Sequence, residues 1–469
     1  MAVRPEIIAA LNSPAAAMTD FQIKRLPYNL TAHAGLSMVG QYLKRFAQID
    51  QIIDPRFPIV GQGGIATSSL IKAYVGLLCT GKSDFDAIES LRQDAFFKSA
   101  LGLAVVPSSP TLRQRMDAVA DAGDNALTAL DEANARLLRR AKPTLTPLST
   151  GHIALDFDVF TLDNSGTRKE GIGRTYMGFD GYAPIAGYLS EEGYCLGLEL
   201  RPGTQHSASE TPDFLTRLLP RARAVSDLPL LVRADSGFDG GAIFAALAAA
   251  RKAGPLDWLV KWNPRGFDVA ALHQRLDTDP ASVWCHSREG KREIFKTETI
   301  MREHDGVSVS MNRVVHLIER MIDKKGQVLL MPDIEVEGWL TSLDLPTARI
   351  VKLYQGHGTH EQFHSEFKTD LDLERLPSGK FATNDLVLSL AVLAFNILRA
   401  IGQATLISPD SPVRHAAKRR RLRTVMQEII GIAARVIQHA RKFILGLGEH
   451  CAAFAVFQRH HQALLQFSD

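Results

Sequence analysis

Cysteine is scarce in this 469-residue chain. There are four, Cys79, Cys195, Cys285 and Cys451, and none lies near another in sequence. That spacing excludes CxxC zinc and redox sites, speaks against a disulfide framework and fits a reducing compartment. Excess charge of one sign is also missing. Lys and Arg number 54 against 51 Asp and Glu, a net +3, so a basic surface for a polyanion has to come from local clustering. Long hydrophobic runs are absent: the longest, residues 386–398, is interrupted by Ser389 and Asn396 and falls short of the roughly 20 residues a membrane span needs. The N-terminus has no signal-peptide apolar region, so secretion and membrane association are set aside and a cytoplasmic protein is expected. No repeat of about 20 to 50 residues is visible.

What is present is ordinary globular material, 45% apolar and 22% charged, enough for two to four domains at roughly 150 residues each. Residues 1 to about 30 carry few periodic signals and read as an arm. From 34 to about 139 apolar positions recur at three and four residues, as in Leu70-Ile71, Tyr74 and Leu77-Leu78, which predicts helices. A Pro/Ser turn at 107–110 precedes Thr111-Leu112-Arg113-Gln114-Arg115, which opens another. The Pro/Thr/Ser-rich stretch 141–151 marks a boundary. Beyond it, strands are predicted at 152–160, 182–190, 194–201, 228–234 and 258–262, with helices at 211–224 and 243–251, a mixed α/β sheet layered with helices. Residues 265–345 read as a β-rich insertion. The chain is then helical, with a buried helix over 386–399 capped by Asn384 and a basic helical region over 406–469.

Three acidic sites stand out. Asp156 and Asp158 lie in an otherwise apolar strand, and period-two geometry puts both on one face, where carboxylates are costly unless paired or metal-bound. The plainer reading is a strand end with solvated acids. Asp235 follows the apolar run LPLLVRA, at the strand edge where α/β folds collect ligand groups; it serves equally well as a cap for the next helix. The third site lies in 354–368 (YQGHGTHEQFHSEFK). Thr359 and Gln362 have capping-box spacing, so a helix from His360 would put Glu361, His364 and Lys368 near one side, as a site or as a solvated ion-paired face.

His360-Glu361-Gln362-Phe363-His364 also matches H-E-x-x-H, in which two histidines one helical turn apart bind Zn²⁺ and the glutamate activates water, as in a metallopeptidase. The extended form fails, with Phe367 at the glycine position and Asp370 at the third histidine. Glu374 is the remaining third ligand, provided a tight turn brings it back.

Taken together, Tyr354-x2-His357-x3-Glu361-x6-Lys368, Arg-Ala-Asp-Ser-Gly-Phe at 233–238 and Leu155-Asp156-Phe157-Asp158 resemble bacterial insertion-sequence transposases with a DDE core. The first motif has the spacing of their Y-x2-R-x3-E-x6-K signature, with His357 in place of Arg. The order Asp, Asp, Glu, the wide gap before Glu361 and Arg375-Leu376-Pro377-Ser378-Gly379 after it are similar too. The resemblance implies an α/β RNase H-like core, a mixed five-stranded sheet with helices on both faces. It divides the chain into a helical DNA-binding region (1–145), the first part of the catalytic core (150–264), a β-rich insertion (265–345), the core continuation with the catalytic glutamate helix (346–405) and the basic C-terminal region (406–469).

The resemblance further implies a nucleoid-acting bacterial enzyme. It would bind the terminal inverted repeats of an element in double-stranded DNA, as a homodimer, and cleave and join strands by two-metal phosphoryl transfer. Asp156 or Asp158, with Asp235 and Glu361, would supply the carboxylates. Hard oxygen ligands favour Mg²⁺, with Mn²⁺ as a substitute; two such ions activate the attacking oxygen and stabilise the leaving one. Tyr354, His357 and Lys368 would engage phosphate near the cut, although His357 cannot make the bidentate contact of an Arg. Elsewhere, residues 411–442 hold nine Lys/Arg, among them Lys418, Arg419, Arg420, Arg421 and Arg423, against the single acid Glu428. Such a cluster suits DNA backbone, and Arg113 and Arg115 near a helix start suit a groove. The alternatives are the zinc metallopeptidase and a catalytically inactive relative that only binds DNA.

Overall fold

The structure is a computed structural model, described here over residues 22–25, 27–58, 64–323, 325–439 and 442–467. Most of the N-terminal arm expected over residues 1 to about 30, and Arg441 of the basic cluster, lie outside those residues. The N-terminal part is helical, as its periodicity predicts. Helices α1 (Thr67–Leu78), α2 (Ser109–Ala120) and α3 (Asp124–Ala141) dominate it. Ser108 caps α2 by accepting from the Thr111 N–H at 3.3 Å, so the Pro/Ser turn starts the helix by satisfying one of its orphan donors.

The boundary at 141–151 leads into a sheet. Its first five strands are β1 (Ile153–Val159), β2 (Ile185–Leu189), β3 (Tyr194–Glu199), β4 (Leu230–Ala234) and β5 (Leu256–Lys261). They lie in the order β3-β2-β1-β4-β5, antiparallel among the first three and parallel from β1 to β5. The hairpin β2–β3 needs only a short turn. The parallel steps need crossovers, supplied by helices α4 (Thr211–Val225) and α5 (Gly241–Lys252). β4 is buried along its whole length, as its continuous apolar run predicts.

Residues 265–345 are β-rich but belong to the same sheet. After helix α6 (Val269–Thr278), strands β6 (Cys285–Arg288), β7 (Lys291–His304), β8 (Val307–Ile322) and β9 (Val328–Thr341) form a meander. β9 joins β5 with Trp339 opposite Lys261, giving nine strands in all.

Helices cover both faces of the core, and alternation along β2 shows how. A Cβ at Gly187 would lie 2.4 Å from Leu218 of α4, so α4 packs against bare backbone there. The next residue, Tyr188, turns to the other face and meets Phe363 and Phe395, with ring centroids 4.9 and 6.2 Å away. Phe395 belongs to α9 (Phe381–Leu406), a 26-residue helix long and apolar enough to cross a membrane. The apolar stretch of α9 is 89% buried inside the fold, which makes it a core helix. Its polar Asn396 is fully satisfied. The side-chain amide donates to Asn134 Oδ1 and the Cys195 carbonyl, both at 2.7 Å, and accepts from the Cys195 N–H at 2.9 Å. Asn384 is not the cap expected of it: it lies inside α9 and ties down the preceding loop through the Ser378 N–H and carbonyl, both at 3.0 Å.

The C-terminal region is only partly helical. Residues 407–421 form a loop, and Leu422–Val425 runs on into a wide helical turn at Met426–Ile430. Strands Ala434–His439 and Lys442–Leu447 make a hairpin that takes Asn29–Thr31 as a third strand. Helix α10 (Phe454–Gln466) follows. Charge density alone does not distinguish a basic loop from a basic helix, and Pro409 and Pro412 favour the loop.

A polar cavity of about 430 Å³ beside α9 is lined by Asp131, Glu199, Arg217, Arg221 and Asp385 among others. Burial, with Glu199 and Asp131 adding repulsion, pushes the Asp385 carboxyl up to about 7. The native state therefore holds a proton that the unfolded chain has lost above pH ~4. Stability falls as pH rises from about 4 to 7, and the full penalty persists above 7. Asp385→Asn is expected to remove that slope and to stabilise the fold at pH 8 by a few kcal/mol, read as denaturation midpoints across pH 5–8. A variant with the wild-type pH slope would refute the assignment.

Candidate active site

The site grows from two neighbouring parallel strands. β1 and β4 pair in parallel with Asp156 beside Arg233. The same register, two residues further on, carries Asp158 and Asp235 to one edge of the sheet, on strands about 4.8 Å apart. Asp235 lies just past β4, where its Oδ1 accepts from the Gly237 N–H at 2.9 Å and caps the turn Ser236–Phe238 rather than the helix α5. Burial raises the Asp235 carboxyl, the Asp158 charge raises it further, and it reaches about 6. Asp235 thus sits close enough to Asp158 for its charge to oppose ionisation of Asp235.

Asp156, although on the same face of β1, has a different role. It is 3% exposed and gripped by Arg233, with Nε–Oδ1 at 2.7 Å and Nη2–Oδ2 at 2.6 Å. His357 Nδ1 lies 2.9 Å from the same Oδ1. Burial alone would raise this carboxyl, but Arg233 and His357 overcome it and hold it at about 2. The remaining Arg233 reach is used on the Leu353 carbonyl at 2.7 Å. Both oxygens of Asp156 are therefore engaged deep in the sheet, while Asp158 is half-buried and its Oδ1 accepts from the Val159 N–H at 2.7 Å.

The third acid arrives on a helical run that begins with α7 (Thr347–Gln355) and continues through the tight turn Gly356–Thr359 into α8 (His360–Ser365) and a wide turn Glu366–Asp370. Thr359 already has helical dihedrals, so the expected capping box does not form. His360 pins α8 to β1: its Nε2 lies 2.7 Å from Asp158 Oδ2, and its Nδ1 faces the His357 carbonyl. Burial lowers the affinity of this ring for a proton, but Asp158 and the His357 carbonyl raise it above the usual histidine value. Glu361 is the next residue and is exposed.

One tyrosine feels the charge of all three acids. Tyr176, in the turn between Gly173–Arg174 and Asp180–Tyr182, is 68% exposed. Its phenol is raised by partial burial and by the charges of Asp158, Asp235 and Glu361. Tyr354 is likewise raised, by burial and then by Asp235, Asp158 and Asp156. Asp158, Asp235 and Glu361 thus all lie within electrostatic range of one tyrosine although 126 residues separate the last two in sequence (361 − 235). Tyr176 carries no motif and was not legible in the sequence. The role of Arg233 had a signal: a lone cation in a buried strand requires an acid, and the next strand has one.

Other expected site residues are placed as follows. His357 is 3% exposed and committed to Asp156, so it is not a surface phosphate contact. Lys368 lies 3.7 Å from Glu374. Asp370 is paired with Arg421 and Arg423, and Glu374 accepts from the Asp163 N–H at 2.8 Å. Neither therefore completes an H-E-x-x-H zinc site; the group that does approach His360 and His364 is Asp158. Several members of the basic cluster have partners within the protein, although Lys418, Arg421 and Arg423 stay exposed. Arg421 Nε lies 2.9 Å from Asp370 Oδ2, and Arg419 Nη1 3.8 Å from Glu366 Oε1. Arg420 donates to the carbonyls of Leu406, Val413 and His415, and Lys418 pairs with Glu191. With the buried Arg399–Glu366 pair, these contacts clamp the segment after Glu361. Arg115 donates to the Ile65 carbonyl and Thr67 Oγ1, both at 3.2 Å. Arg113 is exposed, 3.4 Å from Asp86.

No curated protein matches the chain. Among solved structures it is similar to a piggyBac transposase, in a cryo-EM synaptic complex with hairpin DNA. The identity is 12%, the TM-score 0.43, and the match covers 92% of this chain and 82% of that one. The family model described as transposase DDE domain group 1 matches residues 31–469. With that model matched over nearly its whole length, the chain belongs to the DDE transposase family.

Proposed function

We propose that this chain is an insertion-sequence transposase that cuts DNA at the terminal inverted repeats of its element and joins the freed 3′-OH to target DNA. The reading rests on Asp158 and Asp235 at neighbouring strand ends and on Glu361 within electrostatic range of the tyrosine they share. The five strands β1 to β5, with their antiparallel trio and parallel pair, fit an RNase H-like core. The donor set fits hard divalent cations: it is all oxygen, and repulsion between its carboxylates is what a bound cation relieves. Asp158, Asp235 and Glu361 would hold Mg²⁺, or Mn²⁺ in its place. When bound, such ions polarise the phosphate and activate the attacking oxygen.

The chain's own side chains prepare the rest. The Arg233–Asp156–His357 assembly fixes β1 against β4 and so sets the spacing of Asp158 and Asp235. His360 holds α8 on β1 and orients the backbone that presents Glu361. Tyr354, which feels the charges of Asp235 and Asp158, and Lys368 would meet DNA phosphate. Arg113, Lys418, Arg421 and Arg423 keep exposed faces beyond their acidic partners and would add backbone contacts, weakened by salt. Two DNA ends call for two copies of the chain.

The test uses duplex DNA copied from the sequences that bracket the reading frame. With Mg²⁺, cleavage at the repeat ends and joining to a second duplex are expected. DNA affinity without cleavage under any divalent metal would favour the binding-only relative. Peptide hydrolysis with stoichiometric zinc would favour the metallopeptidase.

A further inference from the structure

We propose that His360, His364 and Asp158 form a second cation site that takes a borderline transition-metal ion such as Zn²⁺, and that an ion there withdraws Asp158 from the carboxylate set. Each of the three residues offers one ligand atom, and these atoms lie within 4.8 Å of one another. The histidines stand one turn apart on α8, both nine-tenths or more buried. His364 Nε2 is buried with no hydrogen-bond partner among the described residues. A buried polar nitrogen left unmatched is unusual in a packed interior and asks for a ligand.

The surroundings match those of a built metal site. His360 has its Nδ1 against the His357 carbonyl, which orients the ring and leaves Nε2 toward Asp158. Such outer contacts to the far nitrogen are what aligns a metal-binding imidazole. His357 is in turn held by Asp156, and Asp156 by Arg233, so the support extends into the sheet. Phe160 stacks on His364 at 4.4 Å and Tyr188 closes another side at 5.5 Å, making an apolar wall. Two imidazoles and one carboxylate suit Zn²⁺, Co²⁺ or Ni²⁺, whereas Mg²⁺ prefers oxygen alone. Zinc ligands in tetrahedral sites stand about 3.3 Å apart, so the three groups close slightly on binding. The Asp158–His360 contact then opens to admit the ion. The site thus shares one residue with the proposed catalytic set but selects a different class of cation.

Co²⁺ serves as a spectroscopic substitute for zinc in the full-length chain. Visible d–d absorption at one equivalent is expected, displaced by Zn²⁺. His364→Phe keeps the stacking on Phe160 and removes the ligand; Co²⁺ affinity is expected to fall by more than about 100-fold. Glu361→Gln is expected to retain the spectrum. Bands unchanged in His364→Phe, or lost equally in Glu361→Gln, would overturn the proposal. If His364→Phe does not fold, ¹¹³Cd resonance of the wild-type chain decides: a shift typical of mixed nitrogen and oxygen ligation supports the site, and one typical of oxygen alone refutes it. A functional arm rests on the transposase reading: Zn²⁺ should inhibit Mg²⁺-dependent cleavage in wild type and far less in His364→Phe. The spectra do not depend on that reading, so the two can fail separately.

Discussion

Asp235→Ala or Glu361→Ala is expected to lower Mg²⁺-dependent DNA cleavage by at least about three orders of magnitude, some 4 kcal/mol of transition-state stabilisation. Binding to the same DNA should be unchanged, because these groups act on the reacting phosphate through cations rather than by attracting the polyanion. Removing a carboxylate reduces repulsion with phosphate, so affinity without metal should hold or rise slightly. Fold stability should not suffer either. Asp235 is raised to about 6, so its ionised form already costs free energy at neutral pH, and Asp235→Ala removes that cost. A variant that loses cleavage, keeps DNA and melts no lower than wild type satisfies the account. One that loses cleavage only by unfolding does not.

The opposite pattern is expected one step inward. Arg233→Ala leaves Asp156 ionised and buried with only His357 to answer it. Breaking a buried pair by removing one partner typically costs about 3–5 kcal/mol, and the lost bond to the Leu353 carbonyl adds to it. Chemical denaturation should show that loss directly. The double change Asp156→Leu with Arg233→Met should cost less than Arg233→Ala, since both charges leave together. The sign of the pH dependence follows from the depressed carboxyl. Asp156 is held at about 2, so its contribution is complete above the unfolded value near 4 and disappears as pH falls through about 2. Wild type and Asp156→Asn should therefore converge in acid and separate above pH 4. Equal stability of the two at pH 7 would contradict the pairing.

These two cases mark how far the sequence could be read. The buried strand LPLLVRA and the acid at its exit were legible, because continuous apolar runs and strand edges carry strong local signals. Period-two alternation correctly put Asp156 and Asp158 on one face. It did not separate their roles, since that depends on which residue of β4 lies opposite. Only the parallel register, Asp156 beside Arg233, gives one acid to a buried guanidinium and leaves the other to His360. The partners of the basic cluster were hidden for a similar reason. Its charges were counted correctly, but Glu366 and Asp370, the acids that Arg399, Arg419, Arg421 and Arg423 meet, lie some 30 to 60 residues away in sequence. The 265–345 segment reads as β from its alternation, yet nothing local indicates that Trp339 pairs with Lys261 and makes one sheet of nine strands. At Thr359 the capping-box spacing was present, but the chain enters already helical through Gly356, so there was no free helix end to cap.

The central claim is that Asp158, Asp235 and Glu361 share hard cations at one edge of the sheet. Iron(II) placed in a Mg²⁺ site and supplied with hydrogen peroxide and ascorbate generates hydroxyl radicals that cut the nearest backbone, and the cut positions can be read by mass spectrometry. The account predicts breaks clustered at 156–160, 233–238 and 357–363, with those at 233–238 suppressed by excess Mg²⁺. Breaks at 156–160 and 357–363 with none near Asp235, or a pattern indifferent to Mg²⁺, would contradict it.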